Sequence, residues 1–143
     1  MTTIREIMSR EVLAVRPETS VEATIEFLTE HHMGGAPVMN DQGQLVGIVS
    51  ELALIDVVFD PAVRNFPVST YMTTDVSNVD PEEPLNRAAQ LFALYDFRRL
   101  PVVEKGKLVG ILTRRDLMNH ALTSNQSFSD PLVDLVPSLA PIS

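Results

Sequence analysis

The 143-residue chain contains no cysteine. That absence excludes a disulfide scaffold, a thiolate zinc site, a cysteine nucleophile and an iron–sulfur cluster. Long apolar runs are missing too, since no stretch reaches the roughly 18 residues a membrane helix requires. The opening Met1-Thr2-Thr3-Ile4-Arg5-Glu6 lacks the apolar core of a secretory signal. A soluble, cytoplasmic protein is expected. Basic residues are scarce, with 11 Lys and Arg against 19 Asp and Glu and a net charge of −8. A protein that tracks nucleic-acid phosphates needs the opposite balance, so no nucleic-acid partner is expected. No Gly-x-Ser-x-Gly, Walker loop or Gly-x-Gly-x-x-Gly occurs, so no enzyme is expected either.

What is present is a size and apolar content (45%) suited to one compact core, and a charge distribution that is uneven. Between Arg98 and Arg115 lie Arg98, Arg99, Lys105, Lys107, Arg114 and Arg115 against the single acid Glu104. A small basic island in an acidic chain suits a compact anion better than a long polyanion.

The chain is also a repeat. A shift of 64 places Met8 on Met72, Val12 on Val76, Val15 on Val79, Pro17 on Pro81, Val21 on Leu85, Leu28 on Phe92 and Pro37 on Pro101. One residue is lost in a hairpin loop, after which Leu45-Val46-Gly47-Ile48-Val49-Ser50 falls on Leu108-Val109-Gly110-Ile111-Leu112-Thr113. The expected organisation is repeat one over 4–58, a linker over 59–69, repeat two over 70–122 and a tail over 123–143.

Each repeat reads as β-α-β-β-α. A β-rich stretch (Val12–Val15; Val76–Val79) precedes a turn at Pro17 or Pro81. Thr19-Ser20-Val21-Glu22 has the form of a capping box that opens a helix, and Pro84 stands where a first-turn proline is tolerated. Val21, Ile25 and Leu28, like Leu85, Ala88, Ala89 and Phe92, recur at helical spacing, with Glu22, Glu26 and Glu30 on a solvated opposite face. A hairpin follows, with Pro37–Met39 and Leu45–Val49 in one copy and Pro101–Val103 and Leu108–Leu112 in the other. These apolar runs read as strands buried on both sides. Ser50 or Thr113 caps the second helix. Neither copy carries enough apolar residues to close a core alone, so the prediction is an α/β (α+β) fold of two repeats packed with pseudo-two-fold symmetry.

Several motifs, in order and in duplicate, carry a family likeness. Ile7-Met8-Ser9-Arg10-Glu11-Val12 and Tyr71-Met72-Thr73-Thr74-Asp75-Val76 open the copies. Gly35-Ala36-Pro37-Val38 and Arg99-Leu100-Pro101-Val102 stand in the middle, and Leu45–Ser50 and Leu108–Asp116 close them. The chain resembles a stand-alone tandem pair of cystathionine-β-synthase (CBS) domains, a Bateman module, over residues 4 to about 122. The resemblance implies a regulatory sensor that binds an adenosine-containing nucleotide (AMP, ADP or ATP-like) in the cleft between repeats. It implies a homodimer, and a separate effector protein to receive the signal.

The site follows residue by residue. Thr113-Arg114-Arg115-Asp116 is in any case a helix cap, with the Thr113 hydroxyl accepting from a first-turn amide and Asp116 favoured at the positive helix end. In the resembled family this Thr/Ser-x-x-Asp is the ribose signature, and charge-assisted bonds from ribose hydroxyls contribute about 1.5–3 kcal/mol each. Copy one keeps the cap, Ser50, but has Ala53 in place of the acid, which implies one competent ribose site and one degenerate or differently used cleft. Arg115 and Arg99 match family phosphate positions, where the arginine fork suits phosphate oxygens. The alternative is that they pair with neighbouring acids. Arg98 and Arg114 are weaker candidates, and Lys105 and Lys107 read as exposed hairpin charges. By the resemblance, Leu13, Met33, Gly34, Gly35, Pro37 and Ile111 wall the base, although Met33 also reads as core. The two glycines either admit a ligand to the backbone or form a left-handed turn that ends the helix.

Rival readings remain open. One is a ligand-free dimerisation or protein-interaction module, in which Thr113 and Asp116 only cap. Another is a small nucleotide hydrolase, which lacks a visible nucleophile and base. The third is a metal sensor built on Asp56 and Asp60; His31 and His32 lie about 100° apart on a helix and cannot share one ion. The tail contains Asp130-Pro131-Leu132-Val133-Asp134-Leu135-Val136, which reads either as a disordered end or as a short helix that docks on the module.

Overall fold

A computed structural model describes residues 1–124, so the tail expectation lies outside the described residues. The elements are α1 (Ile4–Ile7), α2 (Val21–Glu30), β1 (Gly35–Met39), β2 (Leu45–Ser50), α3 (Glu51–Ile55), 3-10 turns at Pro61–Val63 and Val68–Thr70, α4 (Leu85–Leu94), β3 (Arg99–Glu104), β4 (Lys107–Thr113) and α5 (Arg114–Ser124). This is the mixed α+β repeat expected. The opening β-stretch of each copy is reduced to a single parallel bridge, Val15 to Val38 and Val79 to Val102. Its hydrogen bonds repeat closely: Val15 N donates to Pro37 O at 3.0 Å and Met39 N to Val15 O at 2.8 Å, and Val79 N and Val103 N do the same with Pro101 O and Val79 O.

The antiparallel hairpins β1–β2 and β3–β4 form as read, each with a register shift, between Val38 and Met39 and between Val102 and Val103. Only the central triplets Ala36-Pro37-Val38 and Leu100-Pro101-Val102 are buried throughout. β4 alternates between buried and partly exposed residues and β2 does so toward its end, because a neighbouring layer covers one face only.

The copies exchange their first segments. Ser9 and Ile111 swap backbone bonds at 2.9 and 3.0 Å, and Thr73 and Ile48 swap theirs at 2.8 Å each. Ile4 and Met8 therefore belong to a core with Val79, Leu85, Ala88, Leu91, Leu100, Val102, Leu112 and Leu117. Val68, Tyr71 and Met72 join the other, built on Val15, Val21, Leu28, Ala36, Val38, Val49 and Leu54. Packing thus crosses the boundary that the repeat arithmetic places at 59–69. The crossing depends on glycine. A Cβ at Gly110 would lie 2.5 Å from Met8 Sδ and 3.0 Å from Ser9 O, and one at Gly47 would lie 2.7 Å from Met72 Sδ and 2.9 Å from Thr73 O.

Local caps differ in detail from the sequence reading. The N-cap of α2 is Ser20, whose hydroxyl accepts from Ala23 N at 3.0 Å; Thr19 instead accepts from Arg16 N, and Glu22 lies 3.7 Å from Arg64. Pro84 is the N-cap of α4 itself, one place before the first turn. The left-handed residue that ends α2 is His32 (φ 53°), so neither Gly34 nor Gly35 serves that turn. Met33 N returns to Leu28 O at 2.9 Å, closing the Schellman-type end. Gly35 is required because a Cβ there would meet Val49 O at 2.9 Å across the hairpin.

Candidate functional site

The motif in copy two is a reciprocal cap. Asp116 N donates to Thr113 Oγ1 at 3.1 Å, and Thr113 N donates back to Asp116 Oδ2 at 2.9 Å. The hydroxyl role was read from sequence, whereas the return bond was not. It commits one carboxylate oxygen to the fold and leaves Oδ1 as an acceptor on a partly exposed side chain. In copy one Ser50 Oγ accepts from Ala53 N at 3.2 Å, and nothing returns, because alanine has no acceptor. α5 runs for 11 residues and α3 for five.

Arg99 ties this cap to the other copy. It is the ladder partner of Thr113, and its Nη1 donates to the carbonyl of Gly35 at 2.8 Å, while Gly35 is in turn the ladder partner of Ser50. The guanidinium therefore spans from one helix cap to the other. Burial first, and then the adjacent charge of Arg98, push Arg99 below the ordinary arginine value. Neither Arg98 nor Arg99 forms an ion pair among the described residues. A half-buried guanidinium with one neutral acceptor and a like charge beside it has donors to spare, and an anion is the partner that such donors bond most strongly.

The four arginines thus separate. Arg114 is structural, donating from Nε to Phe97 O at 2.6 Å and from Nη2 to Asp96 at 2.9 Å. Arg115 is exposed on the first turn of α5 and meets no acid among the described residues. Arg98 turns away from the cap and lies over Gly34, its Nη1 3.3 Å from where a Cβ would stand. Lys105 and Lys107 are exposed in the hairpin, as read.

Ile111 sits opposite Pro101 and is bridged to Ser9, close to the cap. Pro37 is fully buried and accepts from Val15 N. Leu13 is 37% exposed on the segment joining Ser9 to Val15. Met33 and Gly34 are placed elsewhere, in a groove of about 680 Å³ on the helices of copy one, together with Ile25, Leu52, Ile55, Phe59 and Arg98. Thr113 and Asp116 do not line that groove. Asp60 caps the 3-10 turn by accepting from Ala62 N, and no cluster of three His, Asp or Glu able to hold a metal occurs among the described residues. No helix there is long and apolar enough to cross a membrane.

The sequence profile of the CBS domain matches residues 4–60 and 68–123. The chain belongs to the CBS domain family. It is 34% identical over 131 residues to protein MJ1225 of Methanocaldococcus jannaschii, covering 85% of this chain and 47% of that protein. It is 29% identical over 143 residues to the CBS domain-containing protein YhcV of Bacillus subtilis, covering 94% and 96%. Among solved structures it resembles CBSX2 of Arabidopsis thaliana in complex with AMP, at 34% identity and a TM-score of 0.79, over 88% of this chain and all of that one. The CBS pair spans about half the length of MJ1225, and only 14% of an A-adding tRNA nucleotidyltransferase from Aquifex aeolicus.

Proposed function

We propose that the chain is a regulatory CBS pair that binds an adenosine nucleotide at the Thr113–Asp116 cap, and that it is not a catalyst. The observation that carries this reading is the placement of Arg99. It stands beside an acid-bearing helix cap, half-buried, without an ion pair among the described residues, and reaches across to the other repeat. The free Asp116 Oδ1 and the Thr113 hydroxyl receive the ribose, Arg99 and Arg115 meet the phosphates, and Ile111 and Leu13 bound the base, whereas Pro37, fully buried, supports the strand behind them. That CBSX2 has been solved with AMP supports the ligand class. A ligand that touches both repeats favours one packing of the two over others, by no more than its differential affinity for those states.

The active form is a homodimer, and its effector is a separate protein. Ile55 and Phe59 are 64% and 90% exposed, and their repeat equivalents Met118 and Leu122 are 59% and 80% exposed. Two equivalent apolar patches on one chain, at the end of α3 and the turn after it and on α5, match the same two patches of a second copy in an isologous contact.

Thermal unfolding with AMP, ATP, S-adenosylmethionine and GMP, for the wild type and Asp116→Asn, tests the reading. Asparagine keeps an acceptor for Thr113 N while removing the carboxylate. A ligand at 100 times its Kd adds about 2.7 kcal/mol, a rise of several degrees. The expected result is an adenosine-selective rise that Asp116→Asn loses. A folded wild type that no adenosine ligand stabilises leaves the ligand-free interaction module in its place.

A further inference from the structure

The repeat shift aligns Gly34 with Arg98 and Gly35 with Arg99. Each arginine reaches across the pseudo-two-fold to its own equivalent: Arg99 donates to Gly35 O at 2.8 Å, and Arg98 Nη1 occupies the space beside Gly34. The contact runs one way only, since glycine has nothing to send back. Its two arms end in different places. Arg99 ends at the Gly35 carbonyl between the two caps, whereas Arg98 forms part of the wall of the copy-one groove, with Glu51, Leu52 and Ile55.

The groove end of this contact is tied to α3. Gly34 O accepts from Glu51 N at 2.9 Å, at the first residue of that helix, and Glu51 Oε1 lies 3.5 Å from the same point over Gly34 that Arg98 approaches. Arg98, Gly34 and the start of α3 form one contiguous contact, and α3 carries the exposed Leu52 and Ile55. An anion taken up by Arg99 competes with the Gly35 carbonyl for its donors. Arg98 is joined to Arg99 through one peptide, so a backbone shift at Arg99 is passed directly to the seat over Gly34.

We propose that Arg98 is the coupling residue of the module, transmitting the state of Arg99 in the inter-repeat cleft to the copy-one helix groove and so to self-association. The proposal rests on the nucleotide and dimer reading for its biological direction, but the physical link between Arg99 and the groove stands or falls separately. Arg98 is a positioning residue here and makes no contact with the ligand.

Sedimentation velocity on the full chain measures the dimer Kd for the wild type, Arg98→Ala, Arg99→Ala and the double variant, each without nucleotide and with saturating AMP. Coupling of the usual strength changes the wild-type dimer Kd by about fivefold or more on adding AMP. Arg99→Ala, which breaks the Gly35 bond from within, shifts the nucleotide-free Kd in the same direction. In the Arg98→Ala background both effects shrink below about twofold, the limit of ordinary additivity. Persistence of the Arg99→Ala or AMP effect without Arg98 overturns the proposal, as does a chain that stays monomeric or a dimer Kd that never moves. If AMP does not bind but the Arg98–Arg99 cycle is non-additive, the nucleotide reading fails and the coupling survives. AMP binding with an additive cycle gives the reverse.

Discussion

The two repeats share one backbone plan and differ in what fills it. Where repeat two buries Leu85, Leu100 and Leu112, repeat one has Val21, Ala36 and Val49 at the equivalent places. Repeat two also has the longer second helix, the returned cap bond and both inter-repeat arginines, whereas repeat one has the glycines that receive them. Repeat two thus has the bulkier side chains at these three places and the arginines, and repeat one has the glycines that face them. The two copies share a symmetric frame, and the proposed site is built from the departures from it.

The most damaging way to break the comparison is to give repeat two the interior of repeat one. Leu100 is fully buried, and its equivalent is Ala36. Leu100→Ala leaves a cavity between β3 and its neighbours, and should cost about 2–5 kcal/mol in denaturant unfolding. A loss below about 1 kcal/mol would mean that the second core collapses around the gap as easily as a small site does, and that its extra bulk is not structural.

Next come the glycines that admit the exchanged segments. Gly110→Ala places a Cβ against Met8 Sδ and Ser9 O, and Gly47→Ala does the same against Met72 Sδ and Thr73 O. The thioethers can swing away, but the two carbonyls are held by Ile111 and Ile48. Each substitution should cost about 1–3 kcal/mol, and the two should agree within about 0.5 kcal/mol if the exchange is symmetric. Adding Met8→Ala to Gly110→Ala should recover none of the backbone part.

These sites show how far the sequence could be read. Hairpins, helix faces and the Ser50 and Thr113 caps are local patterns, and local patterns repeat visibly at a shift of 64 or 63. The segment exchange is not local. Ile4 and Met8 are apolar wherever they pack, so nothing in their neighbours says that they belong to the second core. Gly47 and Gly110 looked like ordinary strand residues because the atoms that exclude a Cβ come from far along the chain. His32 takes the left-handed position although two glycines follow within three residues, an outcome propensity ranks low. At the site, Thr113 and Asp116 were legible as a motif. That Asp116 bonds back to Thr113 is a local detail of the cap, whereas the parting of Arg98 onto the groove and Arg99 onto the Gly35 carbonyl depends on tertiary placement of the second repeat against Gly34 and Gly35.

The smallest change runs in the opposite direction and asks whether the missing acid alone makes repeat one different. Ala53→Asp puts a carboxylate at the third position after the Ser50 cap, as Asp116 stands to Thr113. A carboxylate in the first turn of a helix contributes about 0.3–1 kcal/mol, so α3 should gain slightly and the unfolding midpoint should rise by a degree or two. Calorimetry with AMP then separates cap from site. Only one half-buried guanidinium, that of Arg99, lies between the two caps among the described residues, and Gly34 and Gly35 offer no second one. A new acid therefore shares its cation with the original site, and a second binding event, if the carboxylate creates one, must be weaker than the first. Two equal and independent events would show that the arginines do not set the asymmetry, and that the single substitution at residue 53 does.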